Sequence, residues 1–210
     1  METPQPPEPP GKIATPQPNA RDRPRRGDYN LFRYWVRISG ALRVIIDSTV
    51  EPVLPLLRAV GKIPSGLFIL TTGAGPDLSA MLVSFVQQLS FEPLCIGVAI
   101  HQNRSIGAVI ERSGFFTLNI CSAGDKLLLR KYARHALVGD QALADVVHRK
   151  LPDGGVLFPE ACAYLHCRFS HRVSYHADHE LFIGIAQSGD ISDNSAAKPM
   201  AHLRHDGSKY

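Results

Sequence analysis

Hydrophobic and polar residues change their spacing several times along this chain, and each change marks an element. Residues 1–27 are rich in proline and nearly without apolar positions, a composition that cannot bury enough surface to fold by itself, so a disordered leader is expected. From Asp28 the period becomes helical. Leu31, Phe32, Trp35, Ile38, Leu42 and Ile45 share one face, while Arg33, Arg37 and Arg43 fall mostly elsewhere. Asp47-Ser48-Thr49 ends that helix, and Ser48 with Glu51 reads as a capping box that opens a short second helix, Val53 to Val60. Residues 28–62 are thus a helical extension whose aromatic stripe covers the core of the domain beyond it.

From Ile63 the period falls to two. Gly66 to Thr72 is a β-branched and aromatic run, Gly73 to Asp77 breaks it, and Leu78 to Phe85 resumes extended structure, which predicts a hairpin. Leu94, Ile96, Val98 and Ile100 then share one face of a strand whose other face, Cys95, Gly97 and Ala99, is flat. Ile106, Val109 and Ile110 mark a helix ending at Gly114, with Asn103 as its N-cap. Phe115 to Cys121 is a strand, and Ser122 with Asp125 starts a helix running from Lys126 to His135. Val138 to Pro159 reads as surface loops with a turn at Pro152-Asp153-Gly154-Gly155, and Ala161 to Val173 as a long strand.

Composition narrows the class. At 210 residues and 44% hydrophobic, the chain can bury one substantial core, and one domain with a tail is the expectation. The formal charge of +4 is no sign of nucleic acid binding, because the basic residues cluster only in the leader, at Arg21, Arg23, Arg25 and Arg26. Cys95, Cys121, Cys162 and Cys167 lack the dense spacing of a secreted disulfide scaffold, which points to reduced thiols and a cytoplasmic protein. No signal peptide and no apolar run of membrane-spanning length is present, so no membrane association is expected.

Three stretches carry candidate chemistry. Ser79, Ser84, Gln87, Gln88 and Ser90 lie among apolar residues with almost no charge nearby; such a set either satisfies local turns or hydrogen-bonds a neutral planar ligand. The turn His101-Gln102-Asn103-Arg104-Ser105 ahead of a helix is either an ordinary cap or a phosphate cradle. Asp178 beside His179 is either a structural pair or an oriented general acid or hydrogen-bond donor. Cys162, His166, Cys167, His171, His176 and His179 suggest zinc by count alone. Alternation along a strand points the first two one way and the second two the other, so no metal site is expected.

These stretches also resemble one family. IPSGLFILTTG, SAMLVSF and QQLSFEP resemble the P-S/T-G strand, G-M-x-x-S-x-F strand and S-F-x-P-P turn of the flavin reductase-like family. AYLHCR is similar to its A-Y-L-E-C-R strand, ADHELFIG to its G-D-H-x-L-F-x-G segment, and AHLRHDGSKY to its V-H-x-R-K-x-G-x-x-Y ending. Val83, Leu94, His166 and Ala177 depart from those patterns. The resemblance runs from about Ile63 to Tyr210 and extends to the reductase domain at the C-terminus of some flavodiiron proteins.

The resemblance implies that residues 63–210 form a mainly β, antiparallel, Greek-key split barrel with peripheral helices, binding FMN non-covalently and forming a homodimer. It implies flavin contacts at Met81, Leu82, Val83, Ser84, Phe85, Gln88 and Ser90, and phosphate contacts at His101, Asn103, Arg104 and Ser105. Arg204 and Tyr210, with His202 beside them, would close over the flavin, and His179 with Asp178 would lie near the nicotinamide or the flavin edge. Three functions are compatible with it. One is a reductase taking hydride from NADH or NADPH; another is an FMN-bound electron carrier serving a downstream acceptor protein; the third is a barrel that binds without flavin. The lack of a catalytic triad or carboxylate pair suits flavin chemistry, in which the ring carries the reactivity.

Overall fold

The structure, a computed structural model, describes residues 53–152, 154–192 and 197–207. The leader, the Trp35 helix, the Ser48–Glu51 capping box, Asp153 and Tyr210 lie outside the described residues.

Helix α1 (Val53–Val60) has the bounds its pattern predicts. Strands β1 (Ser65–Gly66) and β2 (Phe68–Thr72) come next, then a 3-10 turn at Gly75–Asp77 and β3 (Ser79–Val83), which pairs antiparallel with β2 from Phe68↔Val83 to Thr72↔Ser79. The predicted hairpin is therefore present. Its far strand stops at Val83, so Gln87, Gln88 and Ser90 belong instead to β4 (Val86–Ser90). Strand β5 (Cys95–His101) leads to α2 (Ile106–Ser113), closed by Gly114 in the left-handed conformation that glycine tolerates best. Next come β6 (Phe115–Ile120) and α3 (Lys126–Tyr132).

Asp125 caps α3 by accepting from the Leu127 and Leu128 amides, as its sequence suggests. Two details of that expectation are corrected. Ser122 does not cap, because its hydroxyl donates to the Glu160 carbonyl, and the helix stops at Tyr132, whose hydroxyl donates to the Ala142 carbonyl at 2.7 Å.

The segment expected as surface loops is in part a structured flap. It contains β7 (Leu137–Val138), the one-turn α4 (Asp140–Leu143), and a small hairpin of β8 (Arg149–Lys150) and β9 (Val156–Leu157). The hairpin turns where the sequence predicts, with Leu151 N–H on the Gly155 carbonyl, but Val156, Leu157 and Phe158 are buried. Their burial is explained by partners far away in sequence. Asn119 donates to the Val156 carbonyl at 3.0 Å and accepts from the Phe158 amide at 2.9 Å. Thr71 donates to the same Val156 carbonyl.

Two long strands, β10 (Ala163–Ser174) and β11 (His179–Ile191), complete the main sheet, and β12 (Ala201–His202) pairs with β1. The main sheet has eight strands in the order β4-β5-β11-β10-β6-β2-β3-β7, and every pairing is antiparallel. The long-range pairings β5–β11 and β6–β10 are the returns of a Greek-key arrangement.

Two apolar clusters divide the interior. One lines the concave side of the sheet with Leu70, Val83, Val98, Phe116, Leu118 and Phe182, and α2 covers it with Ile106 and Ile110. The other lies on the opposite side of β2 and β6, between Ile69, Leu128, Tyr132 and the flap residues Val156 and Phe158. His166 and Cys167, which alternation sets on opposite sides, divide accordingly. His166 is buried against Thr117 at 2.8 Å, and Cys167 lies in the concave cluster, with a register shift between them.

Replacing Asn119 by leucine leaves the Phe158 amide and the Val156 carbonyl short of partners, because the flap excludes water. We expect Asn119→Leu to lose about 2–5 kcal/mol of unfolding free energy in urea titrations. A loss below about 1 kcal/mol would show that apolar packing alone holds the flap.

Candidate functional site

The site gathers where β3 gives way to β4. Only Ser84 and Phe85 separate these strands, and the Phe85 carbonyl accepts from the Ala99 amide at 2.9 Å, tying the link to β5. Phe85 then meets side chains from two other segments. The His179 ring stands edge-on to it at 5.5 Å between centroids, and the Arg204 guanidinium lies over its face at 5.0 Å. His101 is edge-on to His179 at 5.1 Å. Arg204, Phe85, His179 and His101 thus form a row of planar groups brought together by strand register, since His101 at the end of β5 pairs directly with His179 at the start of β11.

Charge and hydrogen bonding orient this row. His179 Nδ1 lies 2.8 Å from Asp178 Oδ1, which leaves the other ring nitrogen for a ligand. That hydrogen bond is the main cause that holds the Asp178 carboxyl below the usual carboxylate range; burial opposes it, and the charges of His179 and His101 act in the same direction as the bond. His101 Nδ1 accepts from the Asn103 amide at 3.1 Å. The Arg204 contact is of cation–π type, about 0.5–2 kcal/mol depending on desolvation.

The residues the sequence nominates do not all converge. Asp178, His179, Phe85, His101 and Arg204 do. Ser84 sits next to them with a buried hydroxyl that has no hydrogen-bond partner among the described residues, and such an orphan costs about 1–3 kcal/mol unless something satisfies it. Met81 and Val83 pack with the concave core, and Leu82 with the other cluster, so only their backbone can serve the site. Gln88 and Ser90 extend along β4 toward the Pro93 turn, where Gln88 donates to the Ser90 carbonyl and Ser90 to that of Pro93. His202 belongs to the β1–β12 ladder.

Asn103 is not the helix cap. The Arg104 amide closes a turn on the His101 carbonyl at 2.8 Å, which carries Asn103 past the capping position, and α2 begins two residues later with Ser105 at its N-cap and no side-chain cap bond. Arg104 and Ser105 are exposed on that turn, at the rim of a cleft of about 270 Å³. Another part of its lining was not foreseen from sequence. Arg172 bridges Glu111 and Glu180, each at 3.3 Å, beside Phe182. The signal available was Arg172 and Glu180 lying near each other across the β10–β11 turn, visible only once the strands are paired.

The thiols are remote from this chemistry. Burial pushes Cys121 and Cys167 up to about 12, which leaves them protonated and inert. Among the described residues no group of three or more His, Cys, Asp or Glu side chains could hold a metal ion, and no helix is long and apolar enough to cross a membrane.

Known proteins share this plan. Residues 60–208 match the model of the flavin reductase like domain. The diflavin flavoprotein A 1 of a Synechocystis species is 29% identical over 160 residues, which is 76% of this chain and 27% of that protein. The chain spans about a quarter of the length of the curated relatives it matches. Among solved structures, the NADH:FAD oxidoreductase SgcE6 of Streptomyces globisporus superposes with a TM-score of 0.64 at 21% identity, covering 77% of this chain and 92% of that one. The styrene monooxygenase flavin reductase of Pseudomonas putida does so with a TM-score of 0.58 at 18% identity, covering 70% and 90%. At these identities the superpositions speak for the fold.

Proposed function

The chain belongs to the flavin reductase-like family, and from that premise we propose that it is an NAD(P)H:flavin oxidoreductase that binds FMN at the β3–β4 link. The observation that carries this reading is the convergence of Phe85, His179 and Arg204 from three separate segments beside the unsatisfied hydroxyl of Ser84. A flavin fits these residues, because its ring offers a planar face to the row and carbonyl oxygens to the orphaned O–H. When bound, the flavin supplies the hydride-accepting ring. The chain's part is to hold and polarise. Phe85 and Arg204 bound the ring pocket, Arg104 and Ser105 offer a charge and a hydroxyl to the phosphate, and Asp178 keeps His179 turned so that its free nitrogen addresses the nicotinamide or the flavin edge. NADH and NADPH both suit this reading, as does a separate acceptor protein taking the electrons onward.

The same fold favours a homodimer. Cys95, Ala99, Leu181, Ile183 and Ile185 lie on one half-buried outer face of β5 and β11, and Leu89 extends it onto the edge strand β4. Gly97 keeps that face flat, since a Cβ there would meet the Leu89 and Leu181 side chains at 2.8 and 3.0 Å. Phe91 and Leu94 add exposed apolar surface at its margin.

Three measurements test the reading. Arg104→Ala should weaken FMN by roughly tenfold or more while riboflavin binding changes little, consistent with one charge-assisted phosphate contact; equal losses for both would remove Arg104 from the phosphate. His179→Asn should retain FMN and slow anaerobic bleaching of the flavin absorbance by NADH or NADPH by about 10- to 1,000-fold. Unchanged rates would remove His179 from the mechanism, and a wild type that neither nucleotide bleaches would favour the electron carrier. Light scattering should show a dimer at micromolar concentration and a monomer for Ile183→Glu. A monomeric wild type with FMN bound would sink the interface.

A further inference from the structure

Arg204 reaches Phe85 from a short arch with both ends fastened. On one side, Ala201 and His202 pair with Gly66 and Ser65, and just before them the Met200 amide donates to the Cys121 carbonyl at 2.9 Å. On the other side, the Gly207 amide donates to the Leu57 carbonyl at 2.7 Å, in the last turn of α1. Between these anchors Leu203, Arg204, His205 and Asp206 have little freedom, since four residues pinned at both ends sample few conformations.

The fastening to α1 is unusually close. A Cβ on Gly61, just past the helix, would lie 2.6 Å from the Asp206 Cα and 2.8 Å from its backbone N and C. Backbone atoms cannot step aside as a side-chain tip can, so this contact tolerates glycine alone. A Cβ on Gly207 would lie 2.6 Å from Val60 Cγ1 and 2.7 Å from Val60 Cβ, so this contact too is fitted to glycine. Helix α1 therefore grips the arch at two glycines, one on each partner. The same Leu57 carbonyl also accepts from the Gly61 amide at 2.9 Å, so the helix end and the arch share one acceptor.

We propose that the end of α1 is a clasp that positions Arg204 over Phe85, with Gly61 and Gly207 as its positioning residues, so that this helix sets flavin affinity from outside the row of planar groups. The proposal rests on the reading of Arg204 as a flavin-site residue. It gives α1 a role that its short amphipathic sequence does not announce. The coupling runs from helix end to arch to guanidinium to Phe85, and Phe85 abuts His179.

The test uses the full chain with FMN as the probe. Gly61→Ala should raise amide exchange at His202 and Gly207 in the flavin-free protein. It should weaken FMN by roughly 3- to 30-fold, the range set by one cation–π contact. Arg204→Ala should weaken FMN by a similar factor, and the double variant by no more than Arg204→Ala alone, because both remove one interaction. Should Gly61→Ala fail to fold, Gly207→Ala tests the other half of the grip, where the new methyl group would meet Val60 Cγ1 and Cβ, and the same rise in exchange and loss of FMN affinity are expected. Additive losses, or faster exchange with FMN affinity unchanged, would overturn the clasp while leaving Arg204 in the site. FMN binding unaffected by Arg204→Ala would instead remove Arg204 from the site, and the proposal with it.

Discussion

The structure turns on a length constraint. Strands β3 and β4 stand seventh and first in the main sheet, which on a flat sheet would put them about 29 Å apart at roughly 4.8 Å per strand. Yet only Ser84 and Phe85 join them, and three Cα steps reach at most about 11 Å. The sheet has no choice but to curl until its distant strands meet. Because the two strands meet without pairing, closure leaves a split, and the linking residues sit at it. Ser84 is buried there with no hydrogen-bond partner among the described residues, and Phe85 is thrust among side chains from two other segments. A closure that left no gap would have satisfied the hydroxyl and enclosed the ring; this one leaves both for a ligand.

Curling has a second consequence, which is that β2 and β6 become buried on both faces. Their concave residues, Leu70, Phe116 and Leu118, are apolar, as a barrel interior demands. Their other face carries Thr71, Thr117 and Asn119, all fully buried under the flap. Polar groups on a buried face cost free energy unless each finds a partner, and here the partners are flap backbone and His166. Apolar residues on that face would pack against almost any cover. Hydrogen-bonding residues accept only a cover with the right backbone groups at the right height, so the polar belt selects the flap's register as well as its presence.

This explains what the sequence disclosed and what it withheld. Strands read clearly where one face met the core and alternation was clean, as with Ile96, Val98 and Ile100 of β5, although Leu94, expected beside them, precedes the strand and is exposed, and the hairpin over Gly66–Phe85 read from its turn chemistry. The flap did not read, because Val156 and Phe158 are buried through Asn119, a residue 37 and 39 positions away, and local polarity gave no hint of it. Asn103 looked like a cap by residue type, but the His101–Arg104 turn, a matter of backbone path, moved the helix start past it. Arg172 with its two glutamates was illegible for the same reason as the flap. Among the site residues, Asp178 and His179 were legible as neighbours in sequence, and the resemblance placed Ser84, Phe85 and Arg204. Their mutual contacts were not legible, since they depend on which strand ends coincide.

That dependence is why so few chemically active residues suffice. Asp178 fixes one nitrogen of His179 at 2.8 Å, the Asn103 amide fixes one nitrogen of His101 at 3.1 Å, and strand register sets the distance between the rings. Each imidazole thus has one nitrogen held by a near neighbour in sequence, the exposed Asp178 carboxylate for His179 and a backbone amide for His101, and one left over. Arg204 is the exception, a long side chain whose placement must come from elsewhere. Its arch is anchored on β1 and on α1, both of which precede the barrel's first long strand in sequence. The one long side chain of the row is therefore held through backbone contacts that its arch makes with segments outside the main sheet.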